Sequence, residues 1–295
     1  MYNILITGAN GQLGTELKRC TWPASSRIEA LGRAELDLTN CAAIAAKVSE
    51  RPWAVVINAA AYTAVDKAEC DIVNAWAVNA LAPAAFGAAC ANAGIPIVQV
   101  STDYVFAGDK EGAWDVGDPV APLGVYGASK LGGELAIRTS GARHAIVRTA
   151  WVVSAHGTNF VKTMLRVAAT GSSLRVVADQ RGSPTSAADL AQALMLIATR
   201  LIEDGSAPSG TFHFSNAGAV SWAAFATEIF HQSALRGGPS ATVVPIKTAD
   251  YPTAAKRPSN SLLNHEAIQA AYGISPRDWR SALGDILDEL IGKIK

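Results

Sequence analysis

At 295 residues, 49% hydrophobic and 17% charged, the chain is long enough for one large α/β unit with a smaller lobe appended. Its formal net charge of +0 provides no bulk field to hold nucleic acid or an anionic membrane, so neither is expected as a partner. The four cysteines, Cys20, Cys41, Cys70 and Cys90, form no CxxC pattern and read as free thiols of a reducing, cytoplasmic setting.

Taken in chain order, short β-branched runs predict strands at Ile4–Thr7, Ile28–Leu31, Val55–Asn58, Ile97–Ser101 and Ala145–Arg148. Longer helical patterns lie between them, at Gly11–Cys20, Cys41–Ser49, Ile72–Ala93 and Tyr126–Thr139. The N-terminus, Met1-Tyr2-Asn3, lacks the basic-then-apolar pattern of a signal peptide. The apolar stretch from Ala75 to Ile97 is interrupted by Asn79, Pro83, Asn92 and Gly94. It reads as a buried helix followed by a strand, not as a membrane span. Beyond Trp151 the alternation loosens. Strands are expected at Leu174–Val177, Thr211–Ser215 and Val243–Ile246, among helices at Phe160–Ala169, Asp189–Ile202, Trp222–Phe230, His265–Ala271 and Arg277–Ile291. Strand–helix alternation implies a doubly wound parallel sheet, whose ligands bind at the carboxyl ends of the strands.

The first such end carries Gly8, Gly11 and Gly14, spaced by three, between a strand and an amphipathic helix. Gly8 permits the tight turn. Gly11 lets the backbone approach a pyrophosphate at the helix N-terminus, and Gly14 lets the helix pack on the strand. In that context the spacing marks a dinucleotide-binding Rossmann unit. The expected division is therefore a dinucleotide-binding domain over residues 1–150 and a smaller α/β substrate lobe over 151–295, partly interleaved with it. The second strand ends in Gly32-Arg33. A cation without a carboxylate suits a 2′-phosphate, so NADP(H) is expected, with NAD(H) use left open. Asp37 can accept a bond from the adenine amino group. The small residues after Asn58 let a cofactor lie against the backbone.

The catalytic pattern is Tyr126-Gly127-Ala128-Ser129-Lys130. Residues four apart share a helix face, so the lysine ammonium is expected to lower the pKa of the phenol. The tyrosine could then exchange a proton with a sugar or alcohol oxygen, and the lysine could bond the nicotinamide ribose. Thr102, just past the fourth strand, can bond the same oxygen. The five histidines form no ligand cluster, Gly-x-Ser-x-Gly is absent, and the scattered Trp and Tyr residues suggest no nucleic-acid platform.

These residues resemble the extended short-chain dehydrogenase/reductase family, over essentially the whole chain. Further carriers of the likeness are Asn58 to Glu69, Ser101 to Phe106, Arg148 to Val152, Asn159 to Met164, Asp179 to Thr185 and Arg257 to Ser261. They point to the branch that reduces dTDP-linked 4-keto-6-deoxyhexoses, so a nucleotide sugar is the implied partner. The resemblance implies that Gly11, Gln12 and Leu13 meet the pyrophosphate, Asp37 and Leu38 flank the adenine, and Ala60, Ala61 and Tyr62 line the nicotinamide side. It implies Tyr126 as proton donor, assisted by Lys130, with Thr102, Asp103 and Trp151 at the sugar. Asn159, Phe160 and Arg257 are implied for the dTDP portion. Some members hold magnesium at a dimer contact. Here Glu16 is present, but Ala188 stands at the second carboxylate position, with Asp189 beside it. No metal is therefore expected, and monomer and homodimer both stay open. An epimerase, a reductase of another 4-keto sugar, and a non-catalytic cofactor-binding subunit are the alternatives.

Overall fold

The computed structural model describes residues 1–293. The first half runs β1 (Tyr2–Thr7), α1 (Gln12–Arg19), β2 (Ser26–Leu31), α2 (Cys41–Ser49) and β3 (Val55–Asn58). It continues with α3 (Val65–Ala68), α4 (Ile72–Trp76), a π turn (Ala77–Leu81), α5 (Ala82–Ala93), β4 (Ile97–Thr102), α6 (Val125–Thr139) and β5 (His144–Thr149). The expected helix over Ile72–Ala93 is thus one helix, locally widened at its centre.

The second half begins with β6 (Val152–Val153), α7 (Phe160–Ala168), β7 (Ser173–Val177), β8 (Arg181–Gly182) and β9 (Thr185–Ser186). There follow α8 (Ala187–Glu203), β10 (Gly210–His213), β11 (Val220–Ser221), α9 (Trp222–Leu235), β12 (Thr242–Ile246), α10 (Glu266–Tyr272) and α11 (Trp279–Leu290).

The main sheet has the order β10-β5-β4-β3-β1-β2, with every neighbouring pair parallel. The order reverses at β1, between β2 and β3. That reversal opens a crevice above the carboxyl ends of β1 and β3. The central strands are buried on both faces, which is why their sequences are rich in Val, Ile and Leu. Successive residues divide between two cores. Ile4 and Ile6 of β1 join Leu13, Leu17, Leu190 and Leu194 on one side. Leu5 joins Ile44, Phe86 and Ile137 on the other.

A third core, with Phe225, Ile229, Trp279 and Leu287, holds the helices of the second half together. The halves share elements: β10 extends the main sheet beside β5, and α8 packs against α1. The two-residue strands β6, β8, β9 and β11 were not expected. Each is too short to show a period, and each exists only through its partner.

Two features place the crevice. Thr7 Oγ1 donates to Asn58 Oδ1 at 2.6 Å, and Asn58 Nδ2 donates to Gln99 Oε1 at 2.8 Å, tying three strand ends together. Gly8 has φ +76°, and a Cβ at Gly14 would lie 2.0 Å from the Gly8 carbonyl oxygen. Glycine at both positions is what lets α1 start directly beneath the loop.

Candidate active site

A cleft of about 640 Å³ runs along these carboxyl ends. The glycine loop contributes Gly8, Gly11, Gln12, Leu13 and Gly14. Arg33, Asp37 and Leu38 follow from the segment after β2, and Ala60 and Ala61 from the segment after β3. Thr102, Asp103, Tyr126, Lys130, Trp151 and Asn159 line the same cleft. Residues far apart in sequence therefore meet in one groove, of a volume in the range of ligand and cofactor sites.

Three expected residues are engaged elsewhere. The Tyr62 phenol donates to Asp71 Oδ2 at 2.9 Å, away from the cleft wall. Phe160 packs on Trp222 and Phe225, with ring centroids 4.6 and 5.6 Å away, because its amphipathic helix turns that face to the third core. Arg257 Nη2 lies 2.5 Å from Asp66 Oδ2, and its Nη1 donates to the Tyr104 hydroxyl at 3.4 Å. Its guanidinium closes a contact between the halves beside the site.

Thr102 is held in place from both sides. Its hydroxyl donates to Asp103 Oδ1 at 3.0 Å and accepts from the Tyr104 N–H at 3.2 Å. Tyr104 in turn meets Tyr126 edge-on, with centroids 5.4 Å apart. Burial pushes the Tyr126 phenol above its ordinary pKa, with the neighbouring Thr102 hydroxyl acting the other way. The expected lowering by Lys130 is therefore not what dominates here: the phenol is held protonated, the form a proton donor needs. Lys130 Nζ donates to the Val100 carbonyl at 2.6 Å. Burial lowers this amine to about 8, while the Glu134 carboxylate acts the other way. Burial likewise raises Asp103 to about 6. Its Oδ2 is buried without a hydrogen-bond partner, so its accepting capacity is unused.

Two contributors escaped the sequence reading. Asn79 sits in the π turn, a distortion often found at functional sites. Its side chain accepts from the Tyr62 N–H at 2.9 Å and donates to Ser129 Oγ at 3.1 Å, linking the cofactor-side loop to the helix bearing Tyr126. Glu134, one turn beyond Lys130, accepts from Ser101 Oγ at 2.6 Å and from Arg148 at 2.7 and 2.8 Å. Its spacing from Lys130 was the available signal. Asn159 Nδ2 donates to Gln12 Oε1 at 2.9 Å and so fastens the glycine loop to the second half.

The two carboxylates weighed as metal ligands are met by protein side chains. Glu16 lies 3.7 Å from Arg19 and 3.3 Å from His156. Asp189 takes two bonds from Arg277, both at 2.9 Å, and one from Asn216 at 2.6 Å. The donor set does not fit a shared divalent ion.

A model of the RmlD substrate binding domain family matches residues 2–291. The chain belongs to this family. Among relatives of this RmlD chain, the dTDP-4-dehydrorhamnose reductase of Sinorhizobium fredii is 42% identical, over 95% of the chain and 94% of the relative. That of Aggregatibacter actinomycetemcomitans is 43% identical, over 97% and 98%. The crystal structure of the Bacillus anthracis dTDP-4-dehydrorhamnose reductase in complex with NADP superimposes with a TM-score of 0.91 at 36% identity, covering 98% of the chain and all of that structure.

Proposed function

We propose that this RmlD-family chain reduces dTDP-4-dehydro-β-L-rhamnose to dTDP-L-rhamnose, using NADPH with NADH as an alternative. One observation carries the reading: Thr102, Tyr126 and Lys130 line the same cleft as a glycine loop on a helix N-terminus. The first-half residues of the cleft would hold the dinucleotide. Asp103, Trp151 and Asn159 would hold the sugar nucleotide against the second half. A nicotinamide held there would be the source of the hydride for the sugar C4. Tyr126 protonates the oxygen that develops negative charge there, and Thr102 orients that oxygen. Lys130 places positive charge beside it and reaches for the ribose.

The direct test is NADPH oxidation with dTDP-4-dehydro-L-rhamnose generated in situ, beside a UDP-linked 4-keto sugar. Stoichiometric oxidation with the dTDP substrate is expected. Turnover without net oxidation would indicate an epimerase and overturn the reading. The pH profile adds a second check. Lys130 is charged below about 8 and neutral above it, so kcat/KM should fall on the alkaline side with an apparent pKa near 8. In Lys130→Arg, whose guanidinium stays charged, that limb should move out of range. A limb unchanged in Lys130→Arg assigns it to another group.

The sugar end depends on the seating of Trp151. It is the one non-glycine residue with positive φ, +49°, among the described residues. Its ring stacks on Trp222 with centroids 3.5 Å apart. A Cβ on Gly182 would lie 2.6 Å from that indole. Gly182→Ala should therefore displace the ring, raising KM for the sugar nucleotide about fivefold or more with NADPH affinity unchanged. Equal loss of affinity for both ligands would refute this local role.

A further inference from the structure

The turn after β2 holds a carboxylate that its strand end lacks. Past Leu31 the chain closes on itself: the Glu35 and Leu36 N–H groups donate to the Gly32 carbonyl at 3.3 and 3.0 Å. The Glu35 side chain folds back over this turn, and its Oε2 accepts from the Gly32 N–H at 2.9 Å. A Cβ built on Gly32 would lie 2.9 Å from that same oxygen and 2.4 Å from Asn10 Nδ2. The place where a side chain at position 32 would project is thus taken by a carboxylate from Glu35 and an amide from the glycine loop. Asn10, Gly32 and Arg33 all line the cleft. Arg33 is exposed on the same turn and lines the cleft, while the Glu35 carboxylate meets the cleft wall through its bond from the Gly32 N–H.

We propose that Glu35 is a cofactor-specificity residue, supplying from three positions downstream the carboxylate that receives a ribose 2′-hydroxyl and disfavours a 2′-phosphate. The proposal rests on the nicotinamide cofactor reading above and refines it. A carboxylate accepts hydrogen bonds from a diol and repels a phosphate. It also occupies the Gly32 N–H, a donor that a phosphate would use. Arg33 acts in the opposite sense, since a guanidinium prefers the phosphate. Glu35 is exposed and can swing outward, so NADPH is accommodated once the Gly32 N–H is released. Opposed groups on one turn make this a site for both cofactors, with the balance set by the pair and not by Arg33 alone.

The test is direct binding without turnover. NADH and NADPH are titrated into the full chain, the dinucleotide fluorescence being followed for the wild type, Glu35→Gln and Arg33→Ala. Glutamine keeps an oxygen to accept from Gly32, so the turn is preserved. Glu35→Gln should shift the Kd ratio about tenfold toward NADPH, and Arg33→Ala should shift it toward NADH. A ratio within about twofold of wild type in Glu35→Gln, or equal weakening of both cofactors, overturns the proposal while leaving the cofactor reading intact. Failure of the wild type to bind either dinucleotide overturns both.

Discussion

Tyr126→Phe is expected to lower kcat by about a hundredfold to ten-thousandfold, the range that a positioned general acid supplies. NADPH affinity and the unfolding midpoint should stay near wild type. The substitution removes one oxygen and keeps the ring that Tyr104 meets edge-on at 5.4 Å. The reason for so large a loss lies in the surroundings of the phenol. Burial raises its pKa, so at neutral pH the proton is present to be given. Thr102 is already committed to Asp103 and to the Tyr104 N–H, and Lys130 Nζ to the Val100 carbonyl. Neither is placed as a free substitute donor. Steady-state kinetics with a parallel fluorescence titration of NADPH separates chemistry from binding. Turnover within about fivefold of wild type would remove Tyr126 from the proton-donor role. A parallel loss of cofactor affinity would make it a binding residue instead.

The Rossmann half was legible because its strands are buried on both faces, so that β1, β3 and β4 appear as short, mainly apolar β-branched runs between helices. The glycine spacing then located the cleft, and helical periodicity put Tyr126 and Lys130 on one face. The sign of the Tyr126 shift was not legible. Spacing shows that an ammonium is near, whereas burial, which outweighs it, is a property of the assembled cleft. Arg257 shows the same limit. Its charge suits a diphosphate, yet Asp66, 191 residues away in sequence, takes up one edge of the guanidinium. Phe160 is a dTDP contact only by what the resemblance implies; its packing on Trp222, a partner that only the folding of the second half brings near, has no signal in the sequence. Glu35 is subtler still. Its role depends on a turn that returns its carboxylate to Gly32, while the strand end itself shows only a glycine and an arginine.

The largest expected effect on stability falls on Arg148, fully buried beside Glu134. Its Nε and Nη2 form a two-pronged pair with that carboxylate, at 2.8 and 2.7 Å, and its guanidinium lies over the Phe106 ring at 4.9 Å. Arg148→Ala should cost about 3–5 kcal/mol, the penalty for leaving one charge of a buried pair uncompensated. Arg138, at 2.9 Å and one turn away on the same helix, is partly exposed and offsets only a fraction. Replacing both partners by apolar residues of similar volume, Arg148→Met with Glu134→Leu, should recover most of that loss, since such a pair contributes little net stability against a packed apolar substitute. Activity should not recover with it. Glu134 also receives Ser101 Oγ at 2.6 Å, fixing the strand end that bears Thr102, and it supports the charge on Lys130. Urea unfolding of the three proteins, read beside kcat, distinguishes the two roles. A single variant that loses under about 1 kcal/mol would mean that Arg138 alone satisfies the carboxylate. A double variant as active as wild type would mean that the buried pair stabilises the fold without positioning the groups that carry the reaction.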